Sequence, residues 1–363
     1  MASQNKTHGG NIKAAVEEYG LAKEQVIDFS ANINFLGPPA VTEEIIKDNL
    51  QEIINYPQPD AKELATQLAV TSKVKPEQVI VGNGAVEIIY LITKVLAPQL
   101  ALVLAPTFSE YEAALESVDS QIELFKLQRS QGFSLEVQKL LDRLESRAYE
   151  LLFLCNPNNP TGELVTKEEL LQVLAVAEEQ NTFVVVDEAF LDFIEAEEEY
   201  SLISETEARE NLLVLRSLTK FFAIPGLRVG YAVSNSSLIE KLEFSKDPWN
   251  VNLFAQEVAK QVIKEEEYIN KTKQAVQREK EFLYSALKDF ASLQPYPPTV
   301  NYILIDISAT DYTSTELKDE LAQQGILIRD CSTYHLLGSD FVRVAVKSRE
   351  DNRRLLEELE LLL

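Results

Sequence analysis

The chain has 363 residues, 45% apolar and 25% charged, with a net charge of −24. This is globular composition, long enough for one large and one small domain. The charge argues against nucleic acid and anionic membrane surfaces as partners, since both are bound through basic patches, but an anionic small substrate stays open if a few arginines converge.

The start, Met1-Ala2-Ser3-Gln4-Asn5-Lys6, lacks the apolar core of a signal peptide, and no run approaches transmembrane length, so a cytoplasmic protein is expected. Cys155 and Cys331 stand far apart without metal-ligand spacing and read as small core residues. With two histidines and two cysteines, a structural zinc site is close to excluded.

Residues 1–35 read as an irregular arm, with His8-Gly9-Gly10-Asn11 too rich in glycine for a regular element and a turn signal at Gly37-Pro38-Pro39. A helix follows from about Thr42, a plausible N-cap, with Ile45, Ile46 and Leu50 on one face, and Tyr56-Pro57-Gln58-Pro59-Asp60 breaks it. From Val79 short apolar strands alternate with amphipathic helices. Val79–Val81, Leu100–Leu104, Ile122–Leu127, Leu151–Cys155, Thr182–Val186 and Leu212–Leu215 are the strands, with helices through Leu96 and over 167–179. Such alternation signals an α/β domain with a mainly parallel sheet, whose ligands sit at the carboxyl ends of the strands. A long helical region then runs to about Asp289, and Tyr296-Pro297-Pro298 reads as a linker. Strands Tyr302–Ile307, Ile326–Arg329 and Phe341–Val346, with helices near 314–323 and 349–361, form a smaller α+β domain. The expected division is an arm over 1–40 that is part of the small domain, a large domain over 41–250 and the small domain over 251–363. The acidic stretch Glu195, Glu197, Glu198, Glu199 reads as a solvated loop.

The strand ends carry the chemistry. Gly82-Asn83-Gly84-Ala85 joins a strand to a helix, where N–H groups cradle phosphates, although a glycine turn alone is weak evidence. Neither GxxxxGK[ST] nor GxGxxG occurs, so ATP and dinucleotide readings lose their main support. Phe108, after Ala105-Pro106-Thr107, suits the face of an aromatic ring or the core equally. Asn156-Pro157-Asn158-Asn159-Pro160-Thr161-Gly162 is a polar turn after a strand, and Asp187 closes Val184-Val185-Val186, where a buried carboxylate needs a charged or strong hydrogen-bonding partner. After Leu212-Leu213-Val214-Leu215 the chain offers Ser217, Thr219, Lys220 between apolar neighbours, a Pro225-Gly226 break and Arg228. A desolvated lysine must be paired, lowered in pKa or covalently modified, and a Schiff-base lysine meets that requirement. The hydroxyls and arginine around it suit a phosphate.

The order G-N-G-A, P-T-F, N-N-P-T-G, D-E-A-F, S-L-T-K and G-L-R-V-G-Y resembles the fold-type I pyridoxal-phosphate enzymes, in the branch near histidinol-phosphate aminotransferase, over nearly the whole chain. Within that branch T-H-G-G-N, D-F-S-A-N-I-N, N-Y-P, L-R-S-L-T-K-F-F-A-I-P-G-L-R and I-L-I-R-D-C look most like the threonine-phosphate decarboxylases, which make the aminopropanol phosphate of the cobalamin nucleotide loop. The resemblance implies a large domain with a mainly parallel seven-stranded sheet between helices, a smaller α+β domain, and pyridoxal 5'-phosphate as cofactor. It implies that Lys220 forms the Schiff base, Asp187 pairs with the pyridine nitrogen, Asn159 bonds the ring hydroxyl and Phe108 stacks on the ring. Ser217, Thr219, Arg228 and the backbone near Gly84 and Ala85 would hold the cofactor phosphate. Tyr56 would reach it from a neighbouring subunit, which implies a homodimer.

Arg343 would bind the substrate carboxylate, with a surface charge as the alternative. His8, Asn32 and Arg329 are candidates for the substrate phosphate, Arg329 foremost because a dianion needs a guanidinium-like partner. Phe190 stands where related aminotransferases carry a tyrosine that bonds the cofactor hydroxyl; either that donor is lost or the residue simply packs. The expected reaction is decarboxylation of O-phospho-L-threonine, which requires the Cα–carboxylate bond to stand perpendicular to the cofactor ring. The rivals are a histidinol-phosphate-type aminotransferase, decarboxylation of O-phospho-L-serine (one methyl group is worth about 1–3 kcal/mol in a pocket) and a non-catalytic cofactor-binding regulator.

Overall fold

The computed structural model describes residues 9–363. Seven strands form the principal sheet: β1 (Val79–Gly82), β2 (Leu100–Ala105), β3 (Gln121–Lys126), β4 (Leu151–Cys155), β5 (Phe183–Asp187), β6 (Leu212–Ser217) and β7 (Gly230–Ser234). Their spatial order is β1-β7-β6-β5-β4-β2-β3. Neighbours from β6 to β3 are parallel, while β7 runs antiparallel to both β6 and β1. The expected mainly parallel sheet is therefore present, and the strand without its own sequence signal is β7, which begins inside the Gly-Leu-Arg-Val-Gly-Tyr motif.

The continuous apolar runs follow from burial on both faces. Leu152, Leu154, Val184, Val186, Leu212 and Val214 join one core layer. Their alternates Leu151, Phe153, Val185, Leu213 and Leu215 join the layer on the opposite face. Because β1, β2, β4, β5 and β6 share one direction, Gly82, Ala105, Cys155, Asp187 and Ser217 finish along one edge of the sheet.

A second, antiparallel sheet centres on Tyr302–Asp306, between Gln294–Pro295 and Phe341–Ala345, with Arg329–Asp330 outside the latter. Its core includes Phe29, Leu283, Leu287, Ile303, Ile305, Val342, Val344 and Leu355. Ile27–Asp28 pairs in parallel with Ile326–Leu327 as a separate two-stranded sheet, and Ala345 N donates to the Phe29 carbonyl at 2.8 Å, which ties the arm to the second sheet.

Several local expectations change. The arm contains a helix, Ile12–Tyr19, capped by the Asn11 side chain and tied through Tyr19 Oη to Asp319 at 2.7 Å. Thr42 is not an N-cap: the helix Val41–Asp48 starts after Ala40, and the buried Thr42 Oγ1 lacks a partner. Leu50 leaves that helix's face for an exposed 3-10 turn, Leu50–Ile54. The long helical region divides into Leu253–Val262, capped by Asn252, and Glu266–Lys288. The strand expected over Ile326–Arg329 is two short bridges with different partners. Both cysteines are buried and free. Among the described residues no helix is long and apolar enough to cross a membrane.

Arg216, one residue before the site, is the centre of a buried charge cluster. It donates to Glu188 Oε2 at 2.9 Å, Asp192 Oδ1 at 2.8 Å, Glu197 Oε2 at 3.4 Å and Ser201 Oγ at 3.1 Å. Glu197 thus reaches out of the stretch expected to be wholly solvated. Burial raises Asp192 to about 6, against the pull of Arg216 and with Glu197 adding to the rise. A carboxyl whose folded pKa lies above its unfolded one favours folding most below the unfolded value and loses that contribution as pH rises toward 6. Asp192→Asn removes this loss, so the variant's stability relative to the parent should rise by about 1 kcal/mol or more between pH 4 and pH 7. Urea unfolding at the two pH values measures it; a pH-independent difference would contradict the assignment.

Candidate functional site

At the end of β1 the chain turns through Gly84, at φ +81°, into the helix Ala85–Leu96. A Cβ at Gly84 would lie 2.4 Å from Arg228 Nη2, so only glycine lets the guanidinium close over this turn. A Cβ at Gly230 would lie 2.5 Å from Ala85 N, which fixes the approach of β7 to the same helix start. At the end of β6, Ser217 Oγ and Thr219 Oγ1 are 2.9 Å apart, and Lys220 Nζ donates to Ser217 Oγ at 2.9 Å. A helix start with free first-turn N–H groups, a guanidinium and two hydroxyls make an anion cradle. Ser217, Thr219, Arg228 and the Gly84-Ala85 turn, expected to hold a phosphate, are thereby brought together.

Lys220 has its pKa lowered by burial, with Asp187 opposing the fall and Arg228 assisting it. Its Nζ lies 5.7 Å from the centroid of Phe190. Phe190 is itself buried and meets Tyr302 edge-on at 5.1 Å, so it packs in the core and also faces the lysine. Asp187 is 4% exposed; it accepts from Tyr111 Oη at 2.7 Å and from Ala189 N at 2.9 Å. Burial raises its pKa, while the Tyr111 bond and the Lys220 charge hold it down. Phe108 is half-buried and stands edge-on to Tyr111 at 5.7 Å.

Arg343 is 5% exposed, which removes the surface-charge alternative. It donates through Nη1 to Asn159 Oδ1 and through Nη2 to the Ser30 carbonyl at 2.8 Å, above the Tyr302 ring at 5.4 Å. Its Nε is buried without a partner. Asn32 is buried, receives Asn301 Nδ2 on its carbonyl at 3.0 Å and leaves its own Oδ1 unpartnered. Arg329 donates to Thr333 Oγ1 at 3.1 Å, with its guanidinium 5.3 Å from the Tyr334 centroid. A cavity of about 640 Å³ opens beside it, lined by Gly9, Gly10, Tyr19, Ser30, Lys318 and Arg329 among others. His8 lies outside the described residues. Tyr56 stands apart from these groups in its own chain, 82% exposed, with its ring 4.9 Å from Trp249.

Three participants escaped the sequence reading. Tyr111 had a usable signal: three residues after Phe108 on a helix start, it faces the same side. Tyr302 and the Ser30 carbonyl had none, because strand pairing within the second sheet brings Tyr302 under Arg343, and the path of the arm brings Ser30 beside it. The donor set matches the functional ends of pyridoxal phosphate, with an amine for its aldehyde, a buried carboxylate for its ring nitrogen and an anion cradle for its phosphate. Among the described residues no cluster of three or more His, Cys, Asp or Glu side chains is placed to hold a metal.

The aminotransferase class I and II model matches residues 24–359. The chain is 37% identical to the threonine-phosphate decarboxylase of Salmonella typhimurium over 99% of this chain and 97% of that one. It is 33% identical to the histidinol-phosphate aminotransferase of Methanothermobacter thermautotrophicus, over 97% and 92%. The crystal structure of L-threonine-O-3-phosphate decarboxylase from Porphyromonas gingivalis superposes with a TM-score of 0.82 at 26% identity, covering 92% of this chain and 98% of that one. A half-buried amine at the carboxyl edge of this sheet, a buried carboxylate near it and matches that run almost end to end place the chain in the aminotransferase class I and II family, on the fold-type I pyridoxal-phosphate scaffold.

Proposed function

We propose that the protein is a pyridoxal-phosphate-dependent decarboxylase that converts O-phospho-L-threonine to (R)-1-amino-2-propanol O-2-phosphate and CO2, for the cobalamin nucleotide loop. The observation that carries this reading is the 37% identity to a threonine-phosphate decarboxylase over nearly the full length of both chains. It works as a cytoplasmic homodimer in this proposal, with Tyr56 completing the partner's phosphate cradle. An 82% exposed tyrosine with exposed Ile53 and Ile54 beside it on one turn supports that arrangement.

The cofactor, when bound, supplies an electron sink for the bond that breaks at the substrate's Cα. The chain does the rest. Burial lowers the pKa of Lys220 and so favours the free amine that would hold the cofactor and move a proton at Cα. Asp187 keeps a proton on the cofactor's ring nitrogen only while it is itself ionised, and the Tyr111 hydrogen bond favours that charged form against the desolvation of the site. Ser217, Thr219, Arg228 and the first-turn N–H groups hold the cofactor phosphate. Arg343, fixed by Asn159, Ser30 and Tyr302, holds the substrate carboxylate. Arg329, with Asn32 and His8, takes the substrate phosphate, so two distant anions fix the rotation about Cα that sets which bond breaks.

The deciding assay is CO2 release from O-phospho-L-threonine by the purified, cofactor-loaded protein without a keto acid, beside O-phospho-L-serine, and histidinol phosphate with 2-oxoglutarate. CO2 in step with aminopropanol phosphate is the expected result. Glutamate formation without CO2 would make the protein an aminotransferase, the reading favoured by the 33% identity to a histidinol-phosphate enzyme. Borohydride reduction of the loaded protein followed by peptide mapping should place the cofactor on Lys220, and Lys220→Ala should lower turnover by about a thousandfold or more; label on any other lysine would refute the assignment. Phe190→Tyr restores a hydroxyl facing the lysine, and it should lower the pH midpoint of the bound cofactor's absorbance transition. An unchanged midpoint would mean that Phe190 only packs.

A further inference from the structure

Glu87 is out of place electrostatically. It sits in the first turn of the helix whose N-terminus, in the reading above, receives the cofactor phosphate, and a carboxylate there opposes a dianion. Its contacts explain why it is tolerated. Glu87 Oε2 accepts from Asn83 N, inside the Gly82-Asn83-Gly84 turn, at 2.6 Å, and from Asn250 Nδ2 at 2.6 Å. Asn250 Nδ2 also lies 3.4 Å from the Val81 carbonyl at the end of β1, and Lys246 Nζ approaches the same carbonyl at 3.4 Å. Gly84 N donates to the Gly82 carbonyl at 2.8 Å. Two of the turn's donors are therefore consumed internally, and the N–H groups of Ala85 and Val86 remain for an anion.

The contacts continue beyond the turn. Trp249, next to Asn250, donates its backbone N–H to the Pro59 carbonyl at 2.9 Å, and its ring packs on Tyr56 at 4.9 Å. Gln256 Nε2 donates to the Gln58 carbonyl at 3.0 Å. One run of bonds thus connects the turn to the segment 56–60.

We propose that Glu87 is a positioning residue: it clamps Asn83 and Asn250 so that the turn presents its N–H groups to the cofactor phosphate, and it couples that turn to the segment carrying Tyr56. The inference rests on the cofactor assignment above. The clamp needs an acceptor at the Oε2 position and not a charge, so a glutamine in the same place preserves it.

The test compares pyridoxal phosphate with pyridoxal, which lacks the phosphate, by equilibrium binding to the cofactor-depleted full chain. The ratio of the two affinities isolates the phosphate contacts from any general loosening of the fold. Glu87→Ala should reduce that ratio by about tenfold or more, as expected for hydrogen bonds to a charged group. Asn250→Ala, which leaves the Asn83 bond, should reduce it less, and Glu87→Gln should retain it. In the double variant Glu87→Ala/Asn250→Ala the two losses should not add, because they remove one network. An unchanged ratio in Glu87→Ala overturns the proposal, and so does a raised one, which would make the residue a simple electrostatic opponent of the phosphate. If the unsubstituted chain bound neither ligand, the cofactor assignment itself would fail, an outcome distinct from both.

Discussion

A lysine amine is partly desolvated at the carboxyl edge of a mainly parallel sheet, and much of the surrounding architecture makes that tenable. Nothing fully neutralises Lys220. Ser217 accepts one of its hydrogen bonds at 2.9 Å, Asp187 contributes a charge of opposite sign, and burial together with Arg228 drives its pKa down. The result is an amine biased toward its nucleophilic form, which is the state that imine chemistry requires. Because the lysine follows β6 by three residues, its position depends on that strand's end. The strand's end is pinned in turn by Arg216 and the three carboxylates around it. Such a cluster is a poor source of stability once desolvation is counted. Its value lies in fixing where Ser217, Thr219 and Lys220 begin.

The sheet and its functional edge were legible because parallel strands buried on both faces appear as unbroken apolar runs, and because each run ended in an unusual residue: Gly82, Asp187, Ser217. Those endings are local in sequence. Across the second sheet the legibility failed. Arg343 lies on a strand whose alternation reads equally well as surface or core, and only its placement over Tyr302 and against Asn159 and Ser30 fixes it as buried. The arm's helix, Ile12–Tyr19, was hidden by the glycines before it, and Thr42 looked like a cap because its neighbours suit a helix start, although the helix already begins at Val41. Tyr111 lay within reach of a spacing argument. Its role still depends on a contact 76 residues away in sequence, a kind of fact that local pattern does not carry.

The two sheets meet through polar contacts that also shape the pocket. Tyr302 Oη donates to the Asn158 carbonyl at 2.8 Å, and Asn34 Nδ2 donates to the Phe221 carbonyl at 2.9 Å, one residue past the lysine. Arg129 joins Asp306 at 2.5 Å and Asp340 at 3.1 Å across the same boundary. In the proposed reaction a substrate held by Arg343 and a cofactor held by the edge of the principal sheet would be referred to each other by these bonds. Small errors in that relation matter, because the breaking bond is chosen by its angle to the cofactor ring, and displacements on the order of 1 Å can cost about a hundredfold in rate.

This dependence explains why one scaffold serves both decarboxylases and aminotransferases among its relatives. In the proposed mechanism the groups that generate reactivity, Lys220, Asp187 and the anion cradle, are indifferent to which Cα bond is cleaved. The choice rests with the groups that orient the substrate and with those that set the proton affinity of the cofactor. Phe190 is the candidate of the second kind: a buried ring, edge-on to Tyr302 and facing Lys220, it offers no proton where a tyrosine would. Arg329 and Arg343 are the proposed members of the first. They occupy adjacent, antiparallel strands, and Arg329 and Arg343 are paired in register. In the proposed reaction these two arginines would each hold one substrate anion, and the pair would fix the rotation about Cα that distinguishes one reaction from the other.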